Sequence, residues 1–351
     1  MQALKLASAY GLAAPRDKHL GVIHVTVRQQ VVNSGPSGVS AAPGPQVTGS
    51  QLVGRAESNR EVSQAQGGRE PRVPEPAIEP DLSRLLPRKR QGPGRVITVV
   101  AGKSGTGKST IVANLAGTLA RDHGFATAVL DLDLQFGDQS LMFDAASSPS
   151  IIDVLANADA LTPDFVLECM HQGAGVRIMG APPSPELADL VTTEHIQAVL
   201  EHLRVIFDVI ILDTSGHLND ISLEAIDSAD SLIVITTPYL ASVKNSKLLL
   251  KTMSDLGVPA RKLTAVLNRM EPAIKMPLEV LEANLKFPIS LELPHTPTAL
   301  VESVTDGVPH SVAKPTSEWG QKITALGNIV LADDPVDGRK AGKRGFLGLT
   351  R

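Results

Sequence analysis

Eight consecutive residues constrain this chain more than any others: Gly102-Lys103-Ser104-Gly105-Thr106-Gly107-Lys108-Ser109. They satisfy the pattern G-x-x-x-x-G-K-[ST] and stand between two segments of different texture. Val96–Ala101 (VITVVA) is a nearly continuous apolar run, as expected of a strand buried on both faces of a parallel sheet. From Ser109 to Arg121, the apolar residues Ile111, Val112, Leu115, Leu119 and Ala120 recur at helical spacing. Strand, glycine-rich turn and helix in that order form the context in which the pattern carries chemistry. Gly105 and Gly107 let the backbone turn its N–H groups inward as an anion nest, and the helix N-terminus adds partial positive charge. Lys108 is then placed to bridge β- and γ-phosphates, and the Ser109 hydroxyl to coordinate Mg²⁺. Ser104, Thr106 and Thr110 complete the expected nucleotide-contacting set. The loop reads as a nucleoside triphosphate site.

The remaining pattern sets the architecture around that loop. Further buried strands are expected at Ala126–Leu132, Val176–Met179, Phe207–Leu212, Ser231–Thr236, Leu263–Leu267 and Pro288–Leu293. Helical segments at Thr193–Leu203, Ala241–Leu256, Pro277–Leu285 and Pro315–Leu331 separate most of them. Strands alternating with helices predict an α/β fold: a doubly wound, mostly parallel sheet with helices on both faces. Residues 33–80 hold 7 Pro and 7 Gly among Ser, Gln, Glu and Arg, a composition that cannot bury enough apolar surface to offset ordering. The organisation expected is therefore a largely disordered arm and linker at 1–94, one nucleotide-binding domain at 95–332 and a basic tail at 333–351. Gly21–Val32 alternates like a strand, and both a docking segment and a poorly ordered tail fit it.

Charge and cysteine content narrow the functional classes. The net charge is −4, but it divides unevenly: residues 1–95 carry +6, residues 96–337 carry −15 and residues 338–351 carry +5. So acidic a body disfavours broad nucleic-acid binding through its own surface and leaves room for a local patch. A single Cys169 excludes an internal disulfide, a cysteine zinc site and an iron–sulfur cluster built from one chain. No run of 18 apolar residues and no secretory pattern is present, and a cytoplasmic location is expected.

Acidic residues follow two of the expected strands. Val129-Leu130-Asp131-Leu132-Asp133 should place Asp131 and Asp133 on one face at the carboxyl end of the sheet, where ligands bind. Val209-Ile210-Ile211-Leu212-Asp213 ends in an acid suited to hold Mg²⁺ directly or through water, because that cation sheds its hydration shell reluctantly. Thr214-Ser215-Gly216-His217 follows, with Gly216 placed to respond to a γ-phosphate and His217 read as a switch or interface residue.

With Lys103 five residues ahead of Lys108, the loop resembles the deviant Walker A motif (K-G-G-x-G-K-[ST]) of the MinD/ParA superfamily, with Ser104 where the family has its first glycine. The resemblance implies an ATPase using ATP and Mg²⁺, slow without a partner, and an ATP-sandwich homodimer in which Lys103 reaches the other protomer's phosphates. It further implies that Asp131 supports the metal and its water and that Asp133 orients the attacking water. Asn268 and Arg269 resemble the family's base-contacting loop, although an ordinary polar pair at a strand end fits them nearly as well. The stretches DLDLQFGDQSLMFD and DTSGHLND look most like the CpaE/TadZ branch, which is associated with Flp (Tad) pilus assembly. That implies a protein partner in a pilus or secretion machine. The segment Arg339–Leu349 is faintly similar to a basic amphipathic membrane tail; weak peripheral membrane contact and a plain solvated tail are both open. Rival readings are DNA partition or division-site selection within the same superfamily, and a metabolic ATP-dependent synthetase.

Overall fold

The computed structural model describes residues 92–332, except 146–148, 157–160 and 270–275. The expected arm at 1–91 and the tail at 333–351 lie outside the described residues.

Among the described residues, eight strands form one sheet: β1 (Arg95–Ala101), β2 (Thr127–Leu132), β3 (His171–Gly173), β4 (Val176–Met179), β5 (Val209–Thr214), β6 (Ser231–Thr236), β7 (Leu263–Asn268) and β8 (Leu291–Leu293). Their order across the sheet is β3-β4-β2-β5-β1-β6-β7-β8, and every pairing is parallel except β3 with β4. The first half of the chain builds leftward from β1 and β5 returns between β2 and β1. From β6 onward the chain builds to the right. The carboxyl end of β1 is therefore a point of reversed winding, where open α/β sheets leave a crevice for ligands.

The helices are α1 (Lys108–His123), α2 (Gln139–Met142), α3 (Ile151–Leu155), α4 (Pro163–Glu168), α5 (Thr193–Ile206), α6 (Asp220–Asp227), α7 (Leu240–Asp255), α8 (Leu278–Leu285), α9 (Pro297–Thr305), α10 (His310–Ala313) and α11 (Glu318–Leu331). Strand alternation sorts them onto two faces. Ile97, Val99, Val129, Ile211 and Ile233 pack with Ile111, Leu115 and Leu119 of α1 and with Trp319, Ile323 and Leu326 of α11. Leu130, Ile210 and Leu212 point the other way, against Ile196, Val199 and Leu203 of α5 and Ala225 of α6. Val100, Val234 and Leu267 meet Val243 and Leu250 of α7 and Leu281 of α8. Burying one such side chain contributes about 1.5–3 kcal/mol, so α1 is fixed by its inner stripe and its first turn stays where the sheet puts it. No helix among the described residues is long and apolar enough to cross a membrane.

The doubly wound sheet agrees with the pattern reading, with local differences: α9 and α10 lie outside the expected helical segments, and the last strand is shortened to Leu291–Leu293. The β5 strand begins and ends two residues later than expected, at Val209–Thr214, with Asp208 before it accepting the Ala126 N–H at 2.9 Å. The β3 edge strand is new. It is only three residues long, and Ala174 and Gly175, both at positive φ, make a two-residue hairpin into β4. The short helices between β2 and β3 escaped periodicity, although Ser150 with Asp153 forms a capping box and Thr162-Pro163 caps α4.

Candidate functional site

The loop leaving β1 is shaped from its backbone. Gly105 and Gly107 take φ values of 73° and 90°, a region that side-chain-bearing residues avoid. Gly107 also caps α1, with no side-chain cap and no acidic residue in the first turn. The first N–H groups of that helix are thus left to an external anion. Asn268 at the end of β7 clamps the loop from the side: its Nδ2 donates to the Thr106 carbonyl at 2.9 Å. A Cβ on Gly107 would sit 2.6 Å from that nitrogen. Arg269, beside it, is held in a half-buried ion pair with Glu292 of β8 at 2.6 Å. Lys108 is buried beneath the loop, whereas Lys103 is exposed at its tip; Thr110 is half-buried on α1.

Two acids meet under α1. Asp131 of β2 and Asp213 of β5 are partners in strand register, both fully buried and both on the face that α1 covers. Thr214 fastens the end of β5 by donating to the Val99 carbonyl of β1 at 2.8 Å. Burial, and then the charge of Asp213, push the Asp131 carboxyl well above the ordinary carboxylate range. Burial likewise raises Asp213, countered by the nearby Ser109 side chain, by the hydrogen bond from Gln139 and by the charge of Lys108. Asp131 spends both oxygens on its own loop: Oδ1 accepts the Asp133 N–H at 3.1 Å and Oδ2 the Gln139 N–H at 3.0 Å. Gly137 lies against that carboxyl so closely that a Cβ there would fall 2.4–2.5 Å from its three atoms.

Asp133 lies one residue beyond β2, which ends at Leu132; its N–H bonds back to Asp131, and its charge acts on both Asp131 and Asp213. Half-buried, Asp133 lines a cleft of roughly 670 Å³ with Ser104, Phe136, Thr192, Gly216 and His217. This cleft brings the phosphate loop together with the segments after β2 and β5. Gly216 is pressed on Ser104: a Cβ at Gly216 would meet the Ser104 Oγ at 1.9 Å and its Cβ at 3.0 Å. His217 is exposed, and its carbonyl accepts from the Ser215 and Ser222 hydroxyls at 3.0 and 2.9 Å.

One participant escaped the sequence reading. Gln139 is fully buried, and its Nε2 donates both to the Ser109 carbonyl at 3.0 Å and to Asp213 Oδ2 at 2.8 Å. No motif marks it; only the placement of β5 between β1 and β2 brings the three segments together.

Residues 97–304 match the profile of the CobQ/CobB/MinD/ParA nucleotide binding domain, which spans more than half of the chain. The chain belongs to this family. It is 29% identical over 234 residues to an uncharacterized ATP-binding protein of Methanocaldococcus jannaschii, covering 66% of this chain and 85% of that one. Its fold is similar to that of a ParA family ATPase from Chlorobium tepidum, with a TM-score of 0.63 at 23% identity over 67% of this chain and 98% of the other. It is also similar to the septum site-determining protein MinD of Pyrococcus horikoshii, solved with Mg-ADP, with a TM-score of 0.59 at 24% identity over 68% and 96% of the two chains. This MinD/ParA-type domain carries residues that fit a magnesium nucleotide. The helix start is uncapped, and Thr106 Oγ1 and Asp213 Oδ1 are buried without a hydrogen-bond partner. Lys108 lies between loop and acid, and a hard, oxygen-seeking cation suits the hydroxyl and carboxylate donors of Ser109, Asp131 and Asp213.

Proposed function

We propose that this protein is an ATP-hydrolysing switch that forms an ATP-bridged homodimer and, while dimeric, recruits or positions a partner machine. The observation that carries the reading is the contrast between the two loop lysines. Lys108 is buried beside Asp213, whereas Lys103 is exposed and makes no hydrogen bond or ion pair among the described residues. A lysine held at the rim of an anion site, with no partner among the described residues, is placed to serve a phosphate presented from outside.

When bound, Mg²⁺–ATP supplies the β–γ phosphoanhydride to be cleaved and a cation that spreads its charge. The chain's part is positioning. The α1 N-terminus and Lys108 hold the phosphates, Ser109 and Asp213 hold the cation's side, and Asp131 supports it while fixing the first loop. Asp133 orients water from the cleft. Gly216, against Ser104, gives the second loop direct contact with the phosphate loop. Asn268 and Arg269 border the side from which a base would approach. The branch that the 131–144 and 213–220 segments resemble makes a pilus or secretion assembly the proposed partner. A peripheral membrane role for the C-terminal tail belongs to the same proposal.

Light scattering with ATP and with ADP tests the reading, for the wild type and Asp133→Ala. The expected result is a stable dimer of Asp133→Ala in ATP alone and a transient one for the wild type. Monomers throughout, with ATP still bound, would overturn it. The DNA-partition reading has one observation in its favour: Lys244, Lys247 and Lys251 are exposed along one side of α7. DNA binding that weakens steeply with salt would support it, and none at low salt would dismiss it.

A further inference from the structure

Gln139 has no place in the chemistry above, yet its contacts reach all three residues assigned to the cation. Its side-chain N–H groups bond the Ser109 carbonyl and Asp213 Oδ2, and its backbone N–H bonds Asp131 Oδ2. The residue is fully buried, and its own Oε1 finds no partner. An unpaired buried carbonyl is costly, so the acceptor end of this amide contributes nothing to the position. The amide is kept for its donor end.

We infer that Gln139 is a positioning residue for the divalent cation, orienting the Asp213 carboxylate and tying the loop after β2 to the same point. The inference rests on the magnesium-nucleotide reading of the site. An Asp carboxylate turns freely about its Cβ–Cγ bond until an oxygen is fixed. Gln139 fixes Oδ2 and leaves Oδ1, which has no partner, as the face open to a cation or its water. Groups standing behind a metal ligand in this way set its orientation and much of the affinity. The same residue also closes the loop. Residues 133–139 are hung from the two oxygens of Asp131 at their ends, so a shift of Asp213 is carried through Gln139 to the segment bearing Asp133 and Phe136.

The test uses the full chain and two binding measurements that need no turnover. Mn²⁺ affinity is read by electron paramagnetic resonance with saturating ADP, and ADP affinity is read by calorimetry in EDTA. Gln139→Met should weaken Mn²⁺ binding by about 10–100-fold and leave ADP binding in EDTA unchanged. In an Asp213→Asn background the same substitution should add nothing, because its effect passes through that carboxylate. Wild-type Mn²⁺ affinity in Gln139→Met would overturn the inference, as would an equal further loss in the Asp213→Asn background. If Gln139→Met does not fold, Gln139→Glu decides. A carboxylate has no N–H to offer Asp213, so the melting temperature should rise less on adding Mn²⁺ than in the wild type, and an equal or larger rise overturns the inference. A wild type that binds neither ADP nor Mn²⁺ would instead bring down the nucleotide-site reading, and this inference with it.

Discussion

The ends of β2 and β5 offer a controlled comparison within one molecule. Each strand delivers a fully buried aspartate, the two are register partners, and burial raises both carboxyls. Their bonding nevertheless differs. Asp131 gives both oxygens to backbone N–H groups of the loop that follows it. Asp213 gives one oxygen to Gln139 and keeps the other unpaired. The same residue type at matched depth thus does two jobs, and the partner atoms, not the burial, tell them apart. Asp131 anchors a loop, and Asp213 is an acceptor left open toward Ser109 and Lys108.

The largest effect should come from removing the anchor. Asp131→Ala orphans the buried Gln139 N–H, worth about 1–3 kcal/mol, and the part-buried Asp133 N–H, worth less, so a loss of roughly 2–4 kcal/mol is expected in urea unfolding. Gly137→Ala should act in the same direction, because its Cβ would occupy the space of the Asp131 carboxyl. If Asp131→Ala unfolds like the wild type, the anchoring half of the comparison is wrong.

The same pair shows what could be read from residues alone. Val96–Ser109 and Val209–Asp213 were legible because each is one continuous segment whose meaning lies in its own order. The nest, the helix start and the acid at the strand end all follow from neighbours in sequence. Which acid is open was not legible, because it depends on Gln139, which lies 30 residues from Ser109 and 74 from Asp213. Nor was the end of β2 one residue before Asp133, since alternation holds only while the ladder continues and the ladder stops at Leu132. The Asn268 clamp on Thr106 is of the same kind: β7 was expected, but the direction of an amide at its end was not.

Asp213→Asn should separate function from stability. The amide still accepts from Gln139, but it no longer repels Asp131 and loses a cation-holding charge. Mg²⁺-dependent ATP hydrolysis should fall at least about tenfold. The metal-free protein should become more stable by on the order of 1 kcal/mol, about 2–4 °C in Tm. The pH dependence has a definite sign. Both carboxyls are raised in the folded state, so folding binds protons. That stability is complete below the ordinary carboxylate pKa and is lost as pH rises through the raised folded values. Melting of the metal-free wild type should therefore fall relative to Asp213→Asn as pH increases across that window. A constant difference between the two would show that Asp213 ionises as it does in the unfolded chain.

The smallest expected effect probes the other side of the cleft, where the loop after β5 touches the phosphate loop. Gly216→Ala would place a methyl 1.9 Å from the Ser104 hydroxyl and 3.0 Å from its Cβ. The hydroxyl can rotate away, but the Cβ requires backbone to yield by a few tenths of an ångström, so the cost to stability should stay within about 0.5–1 kcal/mol. The measurable consequence is in coupling between the loops. ATP affinity should drop a few-fold, on the order of 1 kcal/mol, and Ser104→Gly in the same chain should restore it by removing the obstructing side chain. Restoration would assign the contact a part in nucleotide response. If Gly216→Ala weakens ATP binding equally with and without the Ser104→Gly substitution, the loop after β5 acts through its own backbone, and Ser104 has no share in it.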